Sequence, residues 1–150
     1  MFRRESPEAA LPPSATILSV SPRREDHEVL REILRDASWR IDTASTFRLA
    51  WQRIRECGFA LVICERDLPR CPWQDLLAEA LSHPQPPHFI VASQHADEYL
   101  WAEALNIGAY DVLAKPYQPD EVIRVFEVAT AKWQYRQTPG REPLRSSAGA

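Results

Sequence analysis

Two acidic residues follow the most apolar segment of the chain, and their side chains are the best placed for chemistry. Leu61 to Cys64 is a continuous apolar run, typical of a strand covered on both faces in a parallel sheet, and Pro69 then prevents any extension. Glu65 and Asp67 come directly after this run. Since ligands and reactive groups collect beyond the carboxyl ends of the strands in open α/β sheets, we expect a functional site there.

The composition fits one globular domain. Hydrophobic residues make up 45% of the 150 residues, enough for a sizeable core, and 18 basic against 21 acidic residues leave a formal charge of -3. So small a charge gives no field that attracts nucleic acid or an anionic membrane. No apolar run is long enough to cross a bilayer, and the N-terminal segment lacks the apolar stretch of a signal peptide. We expect a cytoplasmic protein that binds neither nucleic acid nor membrane.

Neither the cysteines nor the histidines have the spacing of metal ligands. Cys57, Cys64 and Cys71 contain no Cys-x-x-Cys pair, so we expect plain buried or half-buried thiols. The four histidines are scattered along the chain. These residues predict no metal site.

Apolar periodicity predicts five strands that alternate with five helices. The strands are expected near residues 16–20, 39–44, 59–64, 88–93 and 110–114, each followed by a segment with a helical apolar stripe. We expect Ser45 or Thr46 to cap the second helix, Gly58 to end it, and Ile107 to face the core. The alternation predicts an α/β fold with one doubly wound parallel sheet. The folded domain should span 15–133, between disordered tails at 1–14 and 134–150.

Motifs at the ends of the predicted strands match one known pattern. Ile-Leu-Ser-Val at 17–20 precedes Glu-Val-Leu-Arg-Glu-Ile-Leu at 28–34, Pro69 stands four residues after Glu65, and Ser93 ends the fourth strand. Residues 106–116 read Asn-Ile-Gly-Ala-Tyr-Asp-Val-Leu-Ala-Lys-Pro. Together these motifs resemble the receiver domain of bacterial two-component response regulators over about residues 15–133. The resemblance implies a flavodoxin-like sheet with strand order 2-1-3-4-5 and a cis Lys115–Pro116 bond.

The residues that carry phosphoryl transfer in this family are changed here. The resemblance places Glu65 at the position of the phosphoacceptor Asp, and Ser21 and Pro22 where an acid pair holds the divalent cation. Mg²⁺ binds through one or two carboxylates plus phosphate oxygens, so its binding at Glu65 alone is expected to be lost or weak. Phosphoryl transfer then lacks much of the charge neutralisation it needs. We hypothesise a non-enzymatic pseudo-receiver that does not run the phosphorylation cycle.

Two residues that match the switch of the family, Ser93 and Lys115, are retained. The Glu65 carboxylate, one methylene longer than that of Asp, could reach the place of the phosphoryl group near both of them and hold one signalling state. Alternatively, Lys115 merely pairs with Glu65 and no switching occurs. Val112 stands where the family usually has a Tyr or Phe that swings with activation, which argues against a full switch.

Two other functions stay open on the sequence. The first is an active single-domain response regulator that is phosphorylated at an atypical acid such as Asp67. The second is a flavodoxin-like cofactor-binding protein or enzyme, although Ser21 to Arg24 lacks the glycines or Ser/Thr cluster with which a loop wraps a phosphate.

A candidate interaction face lies on the fourth and fifth predicted helices. Helical-wheel geometry places Tyr99 opposite the apolar stripe and Trp101 at its edge, and the resemblance places Tyr117 and Arg124 nearby. Aromatic residues are enriched at interaction hot spots. We expect this face to bind a signalling protein, either a histidine kinase or another regulator, or a second copy of the chain.

Overall fold

The structure, a computed structural model, describes residues 15–136. Five strands alternate with five helices in this range, as predicted. In chain order the elements are β1 (Thr16–Val20), α1 (Arg24–Ile33), β2 (Arg40–Ala44), α2 (Phe47–Glu56), β3 (Leu61–Glu65), α3 (Trp73–Leu81), β4 (His88–Ser93), α4 (Glu98–Asn106), β5 (Asp111–Ala114) and α5 (Pro119–Arg136).

The five strands form one parallel sheet in the order β2-β1-β3-β4-β5, which confirms the predicted flavodoxin-like topology. β3 is the central strand, and all five of its residues are buried. Val20 pairs in register with Cys64, and Glu65 pairs with Ala92. The carboxyl ends of β1, β3 and β4 therefore meet at one edge, where Glu65 emerges.

Helices cover both faces of the sheet because alternate residues of each strand point to opposite sides. Val62 and Cys64 of β3 pack in one cluster with buried residues of α2, α3 and α4. Leu61 and Ile63 pack in a second cluster with α1 and α5, where Phe126 is fully buried. The two clusters clamp β3 from both sides and fix the position of its last residue.

Several local signals acted as the sequence predicted, and two did not. The Thr46 side chain caps α2 by accepting a hydrogen bond from the Leu49 N–H at 3.1 Å. Gly108 follows α4 with a φ of 112°, a conformation that favours glycine. Gly58 was predicted to end α2, but that helix ends at Glu56 and Cys57 leaves it in an extended conformation. Ile107 was predicted to face the core, but it lies beyond the end of α4 and is 40% exposed.

Two further sequence expectations need revision. α5 continues to Arg136, so residues 134–136 are helical rather than part of a disordered tail; the predicted tails at 1–14 and 137–150 lie outside the described residues. Cys64 is buried and Cys71 is half-buried, as expected, but Cys57 is exposed because it follows the end of a surface helix. All three are free thiols. The Lys115–Pro116 peptide bond is cis, as the resemblance implied.

None of the helices within residues 15–136 is both long and apolar enough to cross a membrane.

Candidate functional site

One lysine bridges two carboxylates at the carboxyl edge of the sheet. Glu65 ends β3, Lys115 follows β5, and Asp26 lies in the first turn of α1. The Lys115 Nζ donates a hydrogen bond to Asp26 Oδ2 at 2.7 Å and a second one to Glu65 Oε1. Glu65 is 3% exposed and Lys115 is 8% exposed. A single buried ammonium group therefore compensates the carboxylates of Glu65 and Asp26. We call these two residues the acidic pair; they are not the acid pair that the resemblance expects at positions 21 and 22.

Neighbouring groups complete the coordination of the acidic pair. The Ser21 hydroxyl donates to Asp26 Oδ2 at 2.5 Å, and the backbone N–H of Asp67 donates to Glu65 Oε2 at 2.8 Å. The Arg23 guanidinium adds a second positive charge, with Nη1 3.7 Å from an oxygen of each carboxylate. Buried charges need such partners, because an unpaired carboxylate would have lost its hydration without replacement.

Asp26 is the site residue that sequence reasoning missed. An acid in the first turn of a helix is common because the helix dipole favours it there, so its place in the helix gives Asp26 no sign of a further role. The sequence feature that could have identified Asp26 is its position six residues after the end of β1. In this chain Ser21 and Pro22 stand where the resemblance expects two acids. The first turn of α1 brings Asp26 back over the end of β1, where it returns a carboxylate to the site.

The charge of Asp26 is stabilised in the folded protein. Burial alone would raise its pKa, but the hydrogen bonds from Lys115 and Ser21, with the positive charges of Lys115 and Arg23, outweigh burial and hold the pKa below its usual value. A carboxyl group whose pKa is lowered by folding stabilises the protein above its unfolded-state pKa. This contribution is lost as the pH falls through the folded-state value.

Replacement of Asp26 by asparagine is therefore expected to have a pH-dependent effect on stability. At about pH 7 the free energy of unfolding should fall by about 1.5–3 kcal/mol, the range for a hydrogen bond to a charged group. The difference between the two proteins should shrink as the pH falls below about 4, where Asp26 of the unfolded chain is itself protonated. Urea unfolding at a series of pH values measures both quantities.

The control for this prediction is the same change at an exposed acid. The Asp36 side chain is 97% exposed, with its carboxylate 4.0 Å from Arg35, so Asp36→Asn should leave stability nearly unchanged at every pH. An Asp26→Asn deficit that stays constant down to about pH 3 would mean that the Asp26 charge is not what stabilises the fold.

The residues at the two other switch positions, Ser93 and Val112, do not join the acidic pair. The Ser93 side chain is fully buried, and its Oγ accepts a hydrogen bond from the His95 N–H at 2.9 Å. The Lys115 N–H donates to the Ser93 carbonyl at 2.9 Å, so the two residues are neighbours through their backbones. Val112 is 6% exposed and packs in the cluster under α4, where it fills space in the core.

The carboxylate of Asp67 lies apart from Lys115 and Glu65. Its side chain is 59% exposed, with Oδ1 2.9 Å from the Nε of Arg66 in an ion pair whose geometry is not that of a hydrogen bond. Only the backbone N–H of Asp67 contacts the site, through Glu65. The structure thus brings Glu65, Lys115, Asp26 and Ser21 together, and it leaves the Asp67 carboxylate outside.

His27 ties α1 to the end of β1. Its Nδ1 is 2.8 Å from the Ser19 hydroxyl, and its Nε2 is 3.0 Å from the Ser21 carbonyl oxygen. Burial lowers the pKa of His27, so the neutral ring accepts from Ser19 and donates to Ser21. This brace helps to fix the helix turn from which Asp26 reaches Lys115.

The predicted interaction face is only partly exposed. Tyr99 is 86% exposed, as predicted, Trp101 is 48% exposed, and Arg124 is exposed on α5. Tyr117 is half-buried against the core cluster under α1 and α5. Burial raises the pKa of Tyr117, and the negative charges of Asp26 and Glu65 act in the same direction. The exposed aromatic residues of this predicted face are therefore Tyr99 and Trp101 on α4.

The donor set does not fit a resident metal ion. Within the part of the chain that the structure describes, no group of three or more His, Cys, Asp or Glu side chains could hold one. The two carboxylates of the acidic pair already share the Lys115 ammonium, with Arg23 beside them. A divalent cation would have to displace these positive charges before it could bind.

Comparison with known proteins agrees with this fold. The family model described as "Response regulator receiver domain" matches residues 17–127. A CheY-like response regulator receiver domain protein from Methanospirillum hungatei is 20% identical with a TM-score of 0.74, covering 84% of this chain and 100% of its own. The chemotaxis response regulator CheY4 of Vibrio cholerae is 17% identical with a TM-score of 0.71, covering 78% and 99%.

A third similar structure is the beryllofluoride-activated NtrC4 receiver domain dimer, which is 23% identical with a TM-score of 0.71 and covers 79% of this chain and 98% of its own. No curated protein sequence matches the chain.

Proposed function

The chain belongs to the response regulator receiver domain family, and on that premise we propose that it works in two-component signalling without the phosphorylation cycle. Receiver domains are signalling modules that interact with kinases and other signalling proteins. In this chain, we infer, the module is kept in one state by its own side chains and acts by binding other proteins.

The observation that carries this proposal is the position of the Lys115 ammonium between Glu65 and Asp26. Lys115 matches the family lysine that would contact a phosphoryl group, and here a carboxylate of the chain itself is hydrogen-bonded to it. A charge-assisted contact of this kind forms without a phosphodonor or a kinase. Glu65 thus takes the role of a built-in anion for Lys115.

The surroundings of Glu65 also disfavour phosphorylation. One Glu65 oxygen accepts from Lys115 and the other accepts from the Asp67 N–H, and the residue is 3% exposed. Ser21 and Pro22 supply no metal-binding carboxylate, and Arg23 brings a positive charge to the place that a cation would need. The negative charge of the phosphoryl group would therefore lack the divalent cation that mainly neutralises it during transfer.

The proposed output is protein binding through the exposed aromatic surface of α4. Tyr99 and Trp101 give rigid aromatic area, and Arg124 adds a charged group from α5. A histidine kinase or another regulator is the proposed partner. A second copy of the chain is another, in line with the dimer of the NtrC4 receiver domain.

Exposure to a small phosphodonor tests the proposal. After incubation with acetyl phosphate and Mg²⁺, the intact mass of the protein should show no added phosphoryl group, because neither the acceptor nor the metal site is in place. An adduct that peptide fragmentation maps to Asp67 would support an active response regulator instead. An adduct on Glu65 would directly contradict the proposal that the Glu65 carboxylate serves as the anionic partner of Lys115.

A further inference from the structure

A cavity of about 350 Å³ lies at the carboxyl edge of the sheet, on the side of β2, and the proposed signalling role makes no use of it. Three loops form its wall, one after each of β1, β2 and β3. The lining residues are Pro22, Ser45, Thr46, Phe47, Arg48, Pro69, Arg70 and Cys71. Its volume falls in the lower part of the range of small-molecule sites, which is roughly 300–1,000 Å³.

The position of the cavity follows from the topology. From β1 the chain crosses to β2 on one side, and from β3 it crosses to β4 on the other. The loops after β1 and β3 therefore diverge and leave a crevice beyond the strand ends, which is the place where open α/β sheets bind ligands. The cavity lies in this crevice and extends to the start of α2.

The wall is apolar and its charges are all of one sign. Phe47, Pro69 and Cys71 supply apolar surface, and none of the eight lining residues is acidic. Arg48 and Arg70 are both exposed, and within residues 15–136 neither guanidinium has an ion-pair partner. The first turn of α2, whose unpaired N–H groups favour an anion, begins at the same wall.

The backbone of Arg70 holds an unusual conformation at the cavity. Its φ is 78°, which side chains other than glycine rarely adopt. Arg70 is the one non-glycine residue with a positive φ among those that the structure describes. Such conformations cost free energy and are concentrated at functional sites. Arg70 carries this cost at a position where glycine would adopt the same backbone conformation without strain.

We propose that this cavity binds a small apolar organic anion, such as an aromatic carboxylate or sulfonate of two or three rings. The apolar body fills the space beside Phe47 and Cys71, and the anionic group meets the guanidinium groups of Arg48 and Arg70. Binding here would contact the loop from Arg66 to Cys71 that leaves β3, a few residues beyond Glu65.

The test uses anilinonaphthalene sulfonate as the probe, with phenylnaphthylamine as the neutral analogue that lacks the sulfonate. When the full chain is titrated with the probe and monitored by two-dimensional NMR, the resonances of Phe47, Arg48 and Cys71 should shift saturably. The neutral analogue should bind at least about tenfold more weakly, because it loses a hydrogen bond to a charged group.

Arg70→Gly is the most informative variant, because glycine keeps the backbone conformation without strain while the guanidinium is removed. It should weaken probe binding by about tenfold or more, and Arg48→Gln should act in the same direction. Arg40→Gln, at an exposed arginine that begins β2 on the opposite edge of the sheet, is the matched control and should bind as the unchanged protein does. Circular dichroism checks that each variant is folded.

Three results would overturn the proposal. These are the absence of saturable shifts at the cavity, shifts confined to the Tyr99 and Trp101 surface, and an affinity unchanged by both Arg70→Gly and Arg48→Gln. Equal affinity for the neutral analogue would refute the anionic character of the ligand. The proposed phosphorylation-independent signalling does not depend on any of these outcomes.

Discussion

Replacement of Lys115 by methionine is expected to lower the free energy of unfolding by about 3–5 kcal/mol, the range observed when one partner of a buried ion pair is removed. The ammonium group is the shared hydrogen-bond donor of Glu65 and Asp26, whose side chains are 2% and 14% exposed. Methionine keeps most of the length of the side chain but removes the charge. Two nearby carboxylates would then face each other with only Arg23 to compensate them. Urea unfolding at about pH 7 measures the loss.

The chain supplies its own control, because Lys132 is its only other lysine. Lys132 is exposed on α5, with its Nζ 5.5 Å from the centre of the Tyr110 ring, so Lys132→Met should cost about 1 kcal/mol or less. Adding Glu65→Gln to Lys115→Met should restore part of the lost stability, since it removes one of the two uncompensated charges. Equal losses for Lys115→Met and Lys132→Met would show that the bridge contributes nothing to the fold.

Restoration of the family's acids is expected to give a protein that accepts a phosphoryl group. The triple variant Ser21→Asp, Pro22→Asp and Glu65→Asp would return a metal-binding acid pair and a shorter acceptor, while Ser93 and Lys115 remain in place. A bound divalent cation contributes several kcal/mol to the stabilisation of the transferring group. The rate of phosphorylation by acetyl phosphate with Mg²⁺ should therefore rise by at least about a hundredfold over the unchanged protein. Intact-mass measurement over time follows the reaction.

The single variant Glu65→Asp separates the two causes of the expected inactivity. It restores the acceptor without the acid pair, so it should stay close to the unchanged protein in rate. If Glu65→Asp alone reacts as fast as the triple variant, the loss of the acid pair is not what blocks the reaction. If even the triple variant stays inert while folded, the retained Ser93 and Lys115 no longer form competent machinery.

The sequence predicted the fold closely because local and global signals agree along this chain. The apolar run of β3, the caps and prolines around the helices, and the alternation of strand and helix all indicate the same sheet, and the structure has its strand order. The errors lie at element ends. Gly58 was assigned as the stop of α2 and Ile107 to the apolar stripe of α4, but the chain had already left the helical conformation at Cys57 and at Ile107.

The site was less predictable because it joins residues far apart in sequence. Proximity of Glu65 to Lys115, 50 positions away, was part of both alternatives that the sequence left open. Asp26 was not anticipated, because its reach to Lys115, 89 positions away, depends on how the first turn of α1 sits over β1. Tyr117 was predicted on the interaction face, and the structure packs it half-buried against the core cluster under α1 and α5. Spacing alone does not carry such tertiary placements.

Two-dimensional NMR of the protein titrated first with Mg²⁺ and then with Mg²⁺ plus beryllofluoride tests the central claim most directly. Beryllofluoride mimics the phosphoryl group, so a functioning receiver binds it at the acceptor when the metal is present. Because Lys115 is already held by Glu65 and Asp26, the resonances of Glu65, Ser93 and Lys115 are predicted to stay where they are. Saturable shifts at these residues, spreading to α4 and α5, would contradict a phosphorylation-independent receiver.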